Sequence, residues 1–325
     1  MAEDRFAQKA YEFSQKIQDV VGKALVGQKR LVQECLVAVL TGGHVLVEGV
    51  PGTAKTLLVR ALAAALGKEF KRVQMTPDLM PSDVVGTLVY DGEARDFRLR
   101  RGPIFTQFLL ADEINRAPAK TQSALLEGMQ EKQVTIEGIS YPLDNYFAVF
   151  ATQNPVEFEG TYPLPEAQLD RFMLKLIVDY PAIEGERDLM RRHEQGFDPN
   201  RLDLAGVAAA TTDEELAKCR AEIAQVKVSD DVLGYVTDLA RMSREHPMLT
   251  LGCSPRAGVA LLMASKTLAA LRGKDYLGPD EVQAMAPAAW RHRLILRPEA
   301  EIEGQTPDDI IRGLIASVAV PRGTQ

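Results

Sequence analysis

Residues 44–56 read HVLVEGVPGTAKT, and the helix-forming run LLVRALAAAL follows them directly. The order is therefore an apolar strand, a glycine-rich turn and a helix. At such a turn, consecutive backbone N–H groups converge on an anion at the N-terminus of the helix. The spacing also matches the motif in which a lysine reaches the terminal phosphates of a nucleotide and the next hydroxyl binds Mg²⁺. We expect Lys55 and Thr56 to hold these roles; the alternative is an ordinary strand-to-helix turn.

The turn departs from the strict motif at one position, where Ala54 replaces glycine. Alanine is harmless there if the backbone φ is negative. If the turn requires a positive φ, alanine costs about 1 kcal/mol or more. Both possibilities remain open on sequence alone. The residues predicted to surround the phosphates are Gly49, Val50, Pro51, Gly52, Thr53, Ala54, Lys55 and Thr56.

Two adjacent carboxylates, Asp112 and Glu113, end the apolar run FLLADE at residues 108–113. The separation from Lys55 leaves room for one intervening βα unit. Paired acids after a phosphate-binding loop are the usual arrangement in NTPases. We expect Asp112 to hold Mg²⁺ through its water shell and Glu113 to polarise the attacking water. The alternative is a pair of acids at an exposed strand end.

Asn154 follows YFAVFATQ, the next inferred strand. In a parallel sheet its side chain emerges at the same carboxyl edge as Asp112, where ligands bind. An amide at that place can orient a water molecule for hydrolysis. Its position before Pro155 equally suits an ordinary turn residue.

Apolar runs alternate with helical stretches through the first half of the chain. Several runs are apolar almost throughout, which indicates strands buried on both faces of a parallel sheet with covering helices. We interpret five runs as strands, at residues 44–49, 70–75, 108–112, 146–152 and 173–178. Segments 86–103 and 133–143 instead alternate like hairpins, with turns near Asp91 and Gly92 and at Glu137 and Gly138. The hairpins are interpreted as insertions in an α/β core.

After Pro181 the pattern becomes helical. Ser254 with Pro255, and Gly278 with Pro279, are typical helix starts. Another helix is predicted from apolar residues that share one face at helical spacing: Val232, Leu233, Val236, Leu239 and Ala240. We place a boundary between residues 181 and 200. It divides the chain into an α/β domain at 1–190 and a smaller helical domain at 191–325.

The composition excludes several classes of protein. A chain of 325 residues is too long for a miniprotein and allows about two domains. A net charge of -7 excludes the global basic field of a nucleic-acid coat. Three widely spaced cysteines and four scattered histidines predict neither a disulfide framework nor a metal site. The chain contains no stretch near the roughly 18 apolar residues of a membrane span and no signal-peptide core at its N-terminus. We therefore expect a cytoplasmic protein.

Together these residues resemble the AAA+ ATPases and, within them, the MoxR family, from about residue 10 to the C-terminal VPRG. The resemblance implies a P-loop NTPase core with a five-stranded parallel sheet flanked by helices, followed by a smaller all-helical lid. It also implies ATP and Mg²⁺ as cofactors, and members of the family tolerate alanine at the position of Ala54. The segments that carry it are LVGQ (25–28), EGVPGTAKT (48–56), GTLVYD (86–91), RRGPIF (100–105), LLADEINRAPAKTQSALLEGMQE (109–131), ATQNPVEFEGTYPLPEAQLDRF (151–172) and SPRA (254–257).

The resemblance implies three roles that spacing alone does not indicate. Val26 and Gly27 match the segment whose backbone meets adenine; the alternative is a plain helix start. Arg171 matches the arginine finger that reaches a neighbouring subunit's ATP, so that hydrolysis depends on assembly into a ring, usually a hexamer; the alternative is an ion pair with Asp170. Arg256 matches the second phosphate sensor of the lid; the alternative is an exposed arginine held by an acid.

The two hairpins resemble the helix-2 insertion and presensor-1 hairpin that MoxR proteins share with MCM helicases and magnesium-chelatase motor subunits. Loops that thread DNA need basic tips, whereas residues 91–96 carry a summed charge of -2. Arg98, Arg100 and Arg101 alternate with apolar residues and predict one cationic strand face at residues 97–101. We interpret this face as solvated or intersubunit; the alternative is a site for an acidic partner.

We therefore expect an ATP-hydrolysing, chaperone-like remodeller that acts as a ring on partner proteins. The resemblance implies von Willebrand factor A domain proteins, or enzymes under maturation or cofactor insertion, as clients. Nucleic acid is not expected as a partner. The alternatives are a DNA-translocating motor, a chelatase-type motor subunit and an ATP-gated scaffold that hardly turns over.

Overall fold

A five-stranded parallel sheet lies at the centre of the first half of the chain. The fold is described from a computed structural model that covers residues 8–50, 52–154 and 162–321. The strand order is β2–β5–β8–β1–β9, and all neighbours in this sheet are parallel. The strands are β1 (Val45–Gly49), β2 (Phe70–Gln74), β5 (Phe108–Asp112), β8 (Ala148–Gln153) and β9 (Leu174–Val178). All five strands predicted from the apolar runs are confirmed.

The sheet separates two hydrophobic cores. Successive residues of one strand point to opposite faces, so Phe108 and Leu110 join one core while Leu109 and Ala111 join the other. Helices cover both faces, as the double burial of the strands requires. The helices of this half are α1 (Gln8–Gly22), α2 (Lys29–Thr41), α3 (Lys55–Ala65), α4 (Pro81–Val85), a 3₁₀ turn (Ile114–Arg116), α5 (Ala119–Glu131), α6 (Glu166–Leu169) and α7 (Ile183–Glu194).

Both predicted hairpins are present outside the main sheet. The first joins β3 (Gly86–Asp91) to β4 (Asp96–Arg101), and the second joins β6 (Gln133–Ile136) to β7 (Ile139–Pro142). The second turns at Glu137 and Gly138, whose φ angles are +49° and +79°. Positive φ at both central residues matches the twist of a tight two-residue hairpin.

The predicted cationic face of β4 holds two arginines and not three. Arg98 and Arg100 alternate with Phe97 and Leu99, so they lie on one face, whereas Arg101 falls on the face of the apolar residues. The Arg101 guanidinium lies 5.1 Å from the Phe105 ring centroid, within cation–π range. Inclusion of Arg101 in that face was therefore wrong.

The second half of the chain is helical, as predicted, with one short antiparallel strand pair. Ser254 accepts a hydrogen bond from the Ala257 amide as the N-cap of α10, and Gly278 caps α11. The predicted apolar face of α9 is buried except for Leu233, which is 39% exposed. The elements are α8 (Asp213–Gln225), α9 (Asp230–Glu245), β10 (Leu249–Leu251), α10 (Pro255–Leu271), α11 (Pro279–Trp290), β11 (Ile295–Leu296), α12 (Pro298–Ile302) and α13 (Pro307–Ser317).

The helical half packs against the first half through a shared core. α1 and α2 contact α8 and α10, and α11 contacts β9. The proposed boundary at 181–200 falls in α7 and the segment after it, and it stays a prediction. In the described ranges, no helix combines the length and the apolar character that crossing a membrane requires.

Candidate functional site

The carboxyl ends of β1, β5 and β8 meet at a cleft of about 580 Å³. This is the edge at which ligands bind open parallel sheets. The structure brings most of the predicted phosphate, metal and water-activating residues together here: Gly52, Thr53, Ala54, Lys55, Thr56, Asp112, Glu113 and Asn154. Pro51, predicted as part of the same loop, lies outside the described residues.

The loop between β1 and α3 has the backbone that the motif demands. Ala54 is the N-cap of α3 with φ +60°, so the costlier of the two alternatives for this position applies. Gly49 is required for space, because a Cβ there would stand 2.5 Å from the Val178 carbonyl oxygen. The Thr53 hydroxyl donates to the Val50 carbonyl over 2.9 Å and tightens the turn. The start of α3 therefore lies at the cleft through a loop whose backbone is strained at Ala54.

Lys55 extends its ammonium group into this loop. Its Nζ donates to the Gly49 carbonyl oxygen over 2.5 Å and to the Gln153 carbonyl oxygen over 3.5 Å. Burial lowers the pKa of Lys55 below its ordinary value, and the carboxylates of Asp112 and Glu113 oppose that shift. An incoming phosphate would supply a stronger acceptor than either carbonyl for the same ammonium.

The paired carboxylates leave β5 in a strained turn. Asp112 is the last residue of the strand, and Glu113 has φ +58°, which redirects the chain into the 3₁₀ turn. Thr152, on the neighbouring strand β8, donates its hydroxyl to Asp112 Oδ1 over 2.5 Å. The same hydroxyl oxygen accepts the Glu113 amide over 2.8 Å. Asn154 follows β8 directly, is 6% exposed and lines the cleft between these groups.

The cleft offers oxygen donors that suit a magnesium ion. The Thr56 hydroxyl and the Asp112 carboxylate both line it. Mg²⁺ usually keeps several waters and takes one or two protein ligands together with substrate phosphates. Among the residues with assigned positions, no group of three or more His, Cys, Asp or Glu could hold a metal alone. Thr56 and Asp112 therefore fit a metal that arrives with a phosphate ligand.

Arg171 and Arg256 lie together in a different cleft, of about 340 Å³. Arg171 Nη1 donates to the Leu126 carbonyl oxygen over 2.8 Å. Arg256 lies in the first turn of α10 and is exposed. Neither arginine is among the described residues that line the cleft of Lys55. One chain therefore does not bring the two arginines to its own phosphate loop.

Val26 and Gly27 also lie apart from the described lining of the Lys55 cleft. They precede α2, and Gly27 has φ +72°. Gln28, the next residue, lines a third cleft of about 300 Å³ with Ile177 and Asp179. The adenine-binding role of Val26 and Gly27 remains a prediction.

Comparison with known proteins identifies the family of this chain. The model for the ATPase family associated with various cellular activities (AAA) matches residues 44–174, and the AAA lid domain matches residues 241–314. The Bacillus subtilis protein YeaC is 43% identical over 93% of this chain and 92% of its own length. The Mycobacterium tuberculosis chaperone MoxR1 is 42% identical over 93% of this chain and 81% of its own length. The chain belongs to the MoxR family of AAA+ ATPases.

A solved structure supports the fold of this MoxR-family chain. A crystal structure of a Cytophaga hutchinsonii protein, 42% identical, superposes with a TM-score of 0.87 over 97% of this chain and 98% of that one. The predicted family and the predicted α/β fold with a helical C-terminal part are thereby confirmed. Membership of an AAA+ ATPase family implies nucleotide binding and ATPase activity in general.

Sequence reasoning missed the residues of this MoxR-family site that hold the two carboxylates. Arg72 Nη2 and Nε donate to Asp112 Oδ2 over 2.6 and 3.0 Å. Gln74 Nε2 donates to Glu113 Oε2 over 3.0 Å. Arg72 and Gln74 lie two residues apart on β2, so both face the same side of the sheet. The alternation of residues 70–75 indicates that Arg72 and Gln74 share one face of β2. Their contact with the two carboxylates could be predicted only if β2 were already known to lie beside β5.

Sequence reasoning also missed three apolar and aromatic residues of the cleft. Leu189 and His193 on α7, and Phe197 just after it, line the same cleft as the start of α3. The rings of His193 and Phe197 pack edge to face with centroids 5.5 Å apart. In this MoxR-family chain, α7 therefore contributes side chains to the same cleft as the phosphate loop.

Proposed function

We propose that this chain hydrolyses ATP at a site completed by a second copy of itself, and that it uses the reaction to remodel partner proteins. One observation carries the proposal. Lys55, Asp112 and Glu113 share one cleft, whereas Arg171 and Arg256 lie in another. The family resemblance assigns all five residues to one nucleotide site, and we therefore infer that the two arginines serve the cleft of a neighbouring copy.

Each group in the cleft has a distinct task in the proposed reaction. Lys55 binds the β- and γ-phosphates at the N-terminus of α3. Glu113 polarises the attacking water, and Asn154 orients that water from the end of β8. Thr56 and Asp112 would hold Mg²⁺, which when bound neutralises charge on the phosphates.

Arg171 and Arg256 act in trans on the γ-phosphate of the neighbouring protomer. A cation that reaches the transition state from another subunit typically contributes about 10³ to 10⁵ in rate. Hydrolysis then depends on assembly, and a head-to-tail contact whose rotation closes produces a ring. We propose a ring of six copies.

The first hairpin supports a protein client. Tyr90 and Phe97 pack edge to face near its tip, with centroids 5.5 Å apart, and are 57% and 62% exposed. Arg98 pairs with Asp91 over 2.9 Å, which removes a cation that could otherwise bind a phosphate. Exposed aromatic side chains beside a hairpin tip of summed charge -2 at residues 91–96 suit a polypeptide better than a DNA backbone. We propose a von Willebrand factor A domain protein, or an enzyme under maturation, as the client.

Mixed assemblies test the shared site. Lys55→Ala and Arg171→Ala are each expected to be inactive alone and to regain activity when mixed. The recovery arises at interfaces that pair an intact phosphate loop with an intact arginine. The double variant Lys55→Ala/Arg171→Ala is the matched control. Mixing it with either single variant should restore no activity, because no interface then combines an intact phosphate loop with an intact Arg171. Absence of recovery at every mixing ratio would contradict a site shared between copies.

A trapped state tests the class of client. Glu113→Gln is expected to retain ATP and to hold its client, so a purified von Willebrand factor A domain protein should bind it with ATP and dissociate with ADP. Lys55→Ala/Glu113→Gln is the control that cannot load ATP. ATPase stimulation by single-stranded DNA at physiological salt, without stimulation by the protein, would favour the DNA motor instead.

A further inference from the structure

We propose that residues 290–293, at the end of α11, lock Arg171 and Arg256 into one rigid unit, with Arg293 as the positioning residue for Arg171. The inference rests on the proposed function, in which both arginines complete a neighbour's nucleotide site. Arg293 does not itself need to contact the nucleotide. Its role is to fix the backbone on both sides of Arg171.

Arg293 gives most of its donors to the segment that carries Arg171, and Nη1 also donates to the Ala289 carbonyl oxygen of α11. Its side chain is 4% exposed. Nε donates to Asp170 Oδ1 over 2.6 Å, and Nη2 donates to the carbonyl oxygens of Asp170 and Phe172 over 3.2 and 2.8 Å. Nη1 donates to the Met173 carbonyl oxygen over 3.1 Å. The residues before and after Arg171 are therefore both held by one guanidinium.

The two residues before Arg293 extend the same attachment. The His292 ring nitrogen Nε2 lies 3.0 Å from the Phe172 carbonyl oxygen. Arg291 Nη1 donates to the Lys175 carbonyl oxygen over 3.1 Å while the rest of its guanidinium pairs with Asp308. Three consecutive side chains of the second half thus bind the backbone that leads from Arg171 into β9.

The other end of the unit reaches Arg256. Trp290, fully buried, donates its Nε1–H to the Ala257 carbonyl oxygen over 3.0 Å. Ala257 follows Arg256 directly in the first turn of α10. Arg256, Arg171 and Arg293 line the same cleft. Burial lowers the pKa of Arg293 below its ordinary value, and the positive charge of Arg256 adds to that shift. Residues 290–293 therefore connect the backbone beside Arg171 to the backbone beside Arg256.

The arginines need such support because their own side chains have little. Arg171 has one hydrogen bond, to the Leu126 carbonyl oxygen, and Arg256 has no hydrogen bond or ion pair to any described residue. Arg256 is exposed and Arg171 is half-buried, and a long side chain with few contacts keeps most of its rotamer freedom. The mean position of each guanidinium is therefore set largely by its backbone. A displacement of about 1 Å at a reacting group can cost about 100-fold in rate. The buried fork of Arg293 is what prevents such a displacement.

Arg293→Lys is the variant that tests the proposal, because it keeps the charge beside Asp170 but loses the planar fork of donors. We expect roughly a 100-fold loss of ATPase activity with unchanged ATP-induced thermal stabilisation. Mixing with Lys55→Ala should restore activity, and mixing with Arg171→Ala should not. Arg312→Lys is the matched control, since Arg312 pairs with Asp309 on the exposed surface of α13. Full activity of Arg293→Lys alone would overturn the proposal.

Recovery in mixed assemblies and amide hydrogen exchange together distinguish a failure of this proposal from a failure of the shared site. If Arg171→Ala regains activity with Lys55→Ala but Arg293→Lys does not, positioning by Arg293 is wrong while the shared site stands. If Arg171→Ala itself regains none, the shared site fails, and amide exchange still tests the unit. Exchange should accelerate at residues 170–175 in Arg293→Lys and stay unchanged around Lys55; unchanged exchange at 170–175 would overturn the proposal.

Trp290→Phe is the second variant and tests the attachment of Arg256. It also tests the proposal if Arg293→Lys does not fold. It removes one donor to the Ala257 carbonyl and keeps most of the buried ring. We expect faster amide exchange at residues 254–258, a smaller loss of activity than for Arg293→Lys, and the same pattern of recovery in mixtures. Wild-type exchange at 254–258 would refute the attachment of Arg256 to this unit.

Discussion

The Thr152 hydroxyl joins both carboxylate residues of the cleft: it donates to Asp112 Oδ1 over 2.5 Å and accepts from the Glu113 amide over 2.8 Å. Glu113 has a left-handed backbone, φ +58°, which costs about 1 to 3 kcal/mol at a non-glycine residue. Such a conformation persists only where the surroundings hold it. The hydroxyl on β8 therefore both supports the strained turn and fixes the orientation of the Asp112 carboxylate.

Thr152→Val should distinguish the effect of the hydroxyl from the effect of side-chain volume. The replacement is close in shape but leaves the Glu113 amide and Asp112 Oδ1 without their partner. We expect a loss of about 1 to 3 kcal/mol in the free energy of unfolding and at least a 10-fold fall in kcat. Urea denaturation and steady-state ATPase assays measure the two effects. Thr152→Ser should restore both, and wild-type kcat in Thr152→Val would contradict the role.

Glu113→Gln should separate binding from hydrolysis. An amide cannot polarise water as a carboxylate does, whereas the phosphate contacts of Lys55 are left intact. We expect the ATP-induced rise in Tm to match wild type and kcat to fall by about 100-fold or more. Lys55→Ala is the converse control, in which the ATP-induced rise in Tm disappears. Undiminished turnover in Glu113→Gln would remove Glu113 from the mechanism.

Most of the fold could be predicted because the strands are continuous apolar runs. Phe108 and Leu109 face opposite cores, so burial on both sides is already visible in their sequence. The turn at Glu137 and Gly138 is likewise a local signal. The position of Arg101 required strict application of strand alternation, which places it with the apolar residues and not with Arg98.

The cleft residues could be predicted where a local motif or the end of an apolar strand marks them, as for Asn154 after β8. Lys55 and Thr56 follow from a local loop, and Asp112 and Glu113 from a strand end. Arg72, Gln74 and Thr152 act through the strand order β2–β5–β8, which sets them beside Asp112 and Glu113 although they are far apart in the chain. The separation of Arg256 from the Lys55 cleft depends on where the second half packs, which local patterns do not encode.

Ala54→Gly should stabilise the protein. Alanine at φ +60° carries a steric cost that glycine avoids, and the relief exceeds the extra entropy that glycine has in the unfolded chain. We expect a gain of about 0.5 to 1 kcal/mol in the free energy of unfolding. Ala64→Gly, in the last turn of the same helix and without a positive φ, is the matched control and should lose up to about 0.5 to 1 kcal/mol. A loss at Ala54 as large as that at Ala64 would refute the cost of positive φ.

Protonation of His44 should lower the stability of the protein in acid. Its Nδ1 accepts the Val149 amide over 3.0 Å, and its Nε2 lies 3.0 Å from the Met129 carbonyl oxygen, which together fix a neutral ring. Burial is the main cause that lowers the pKa of His44 from 6.5 to about 4, and the charge of Lys132 adds to it. The unfolded chain therefore binds the proton first as the pH falls.

The contribution of His44 is complete above the unfolded pKa near 6.5 and is lost as the pH falls toward about 4. At 1.36 kcal/mol for each pKa unit, the loss approaches an upper limit of about 3 kcal/mol. His44→Gln keeps one donor and one acceptor but does not titrate. Urea unfolding at pH 7, 6 and 5 should show wild type losing its advantage over His44→Gln as the pH falls. Parallel curves for the two proteins over this interval would show that His44 is not the group that titrates.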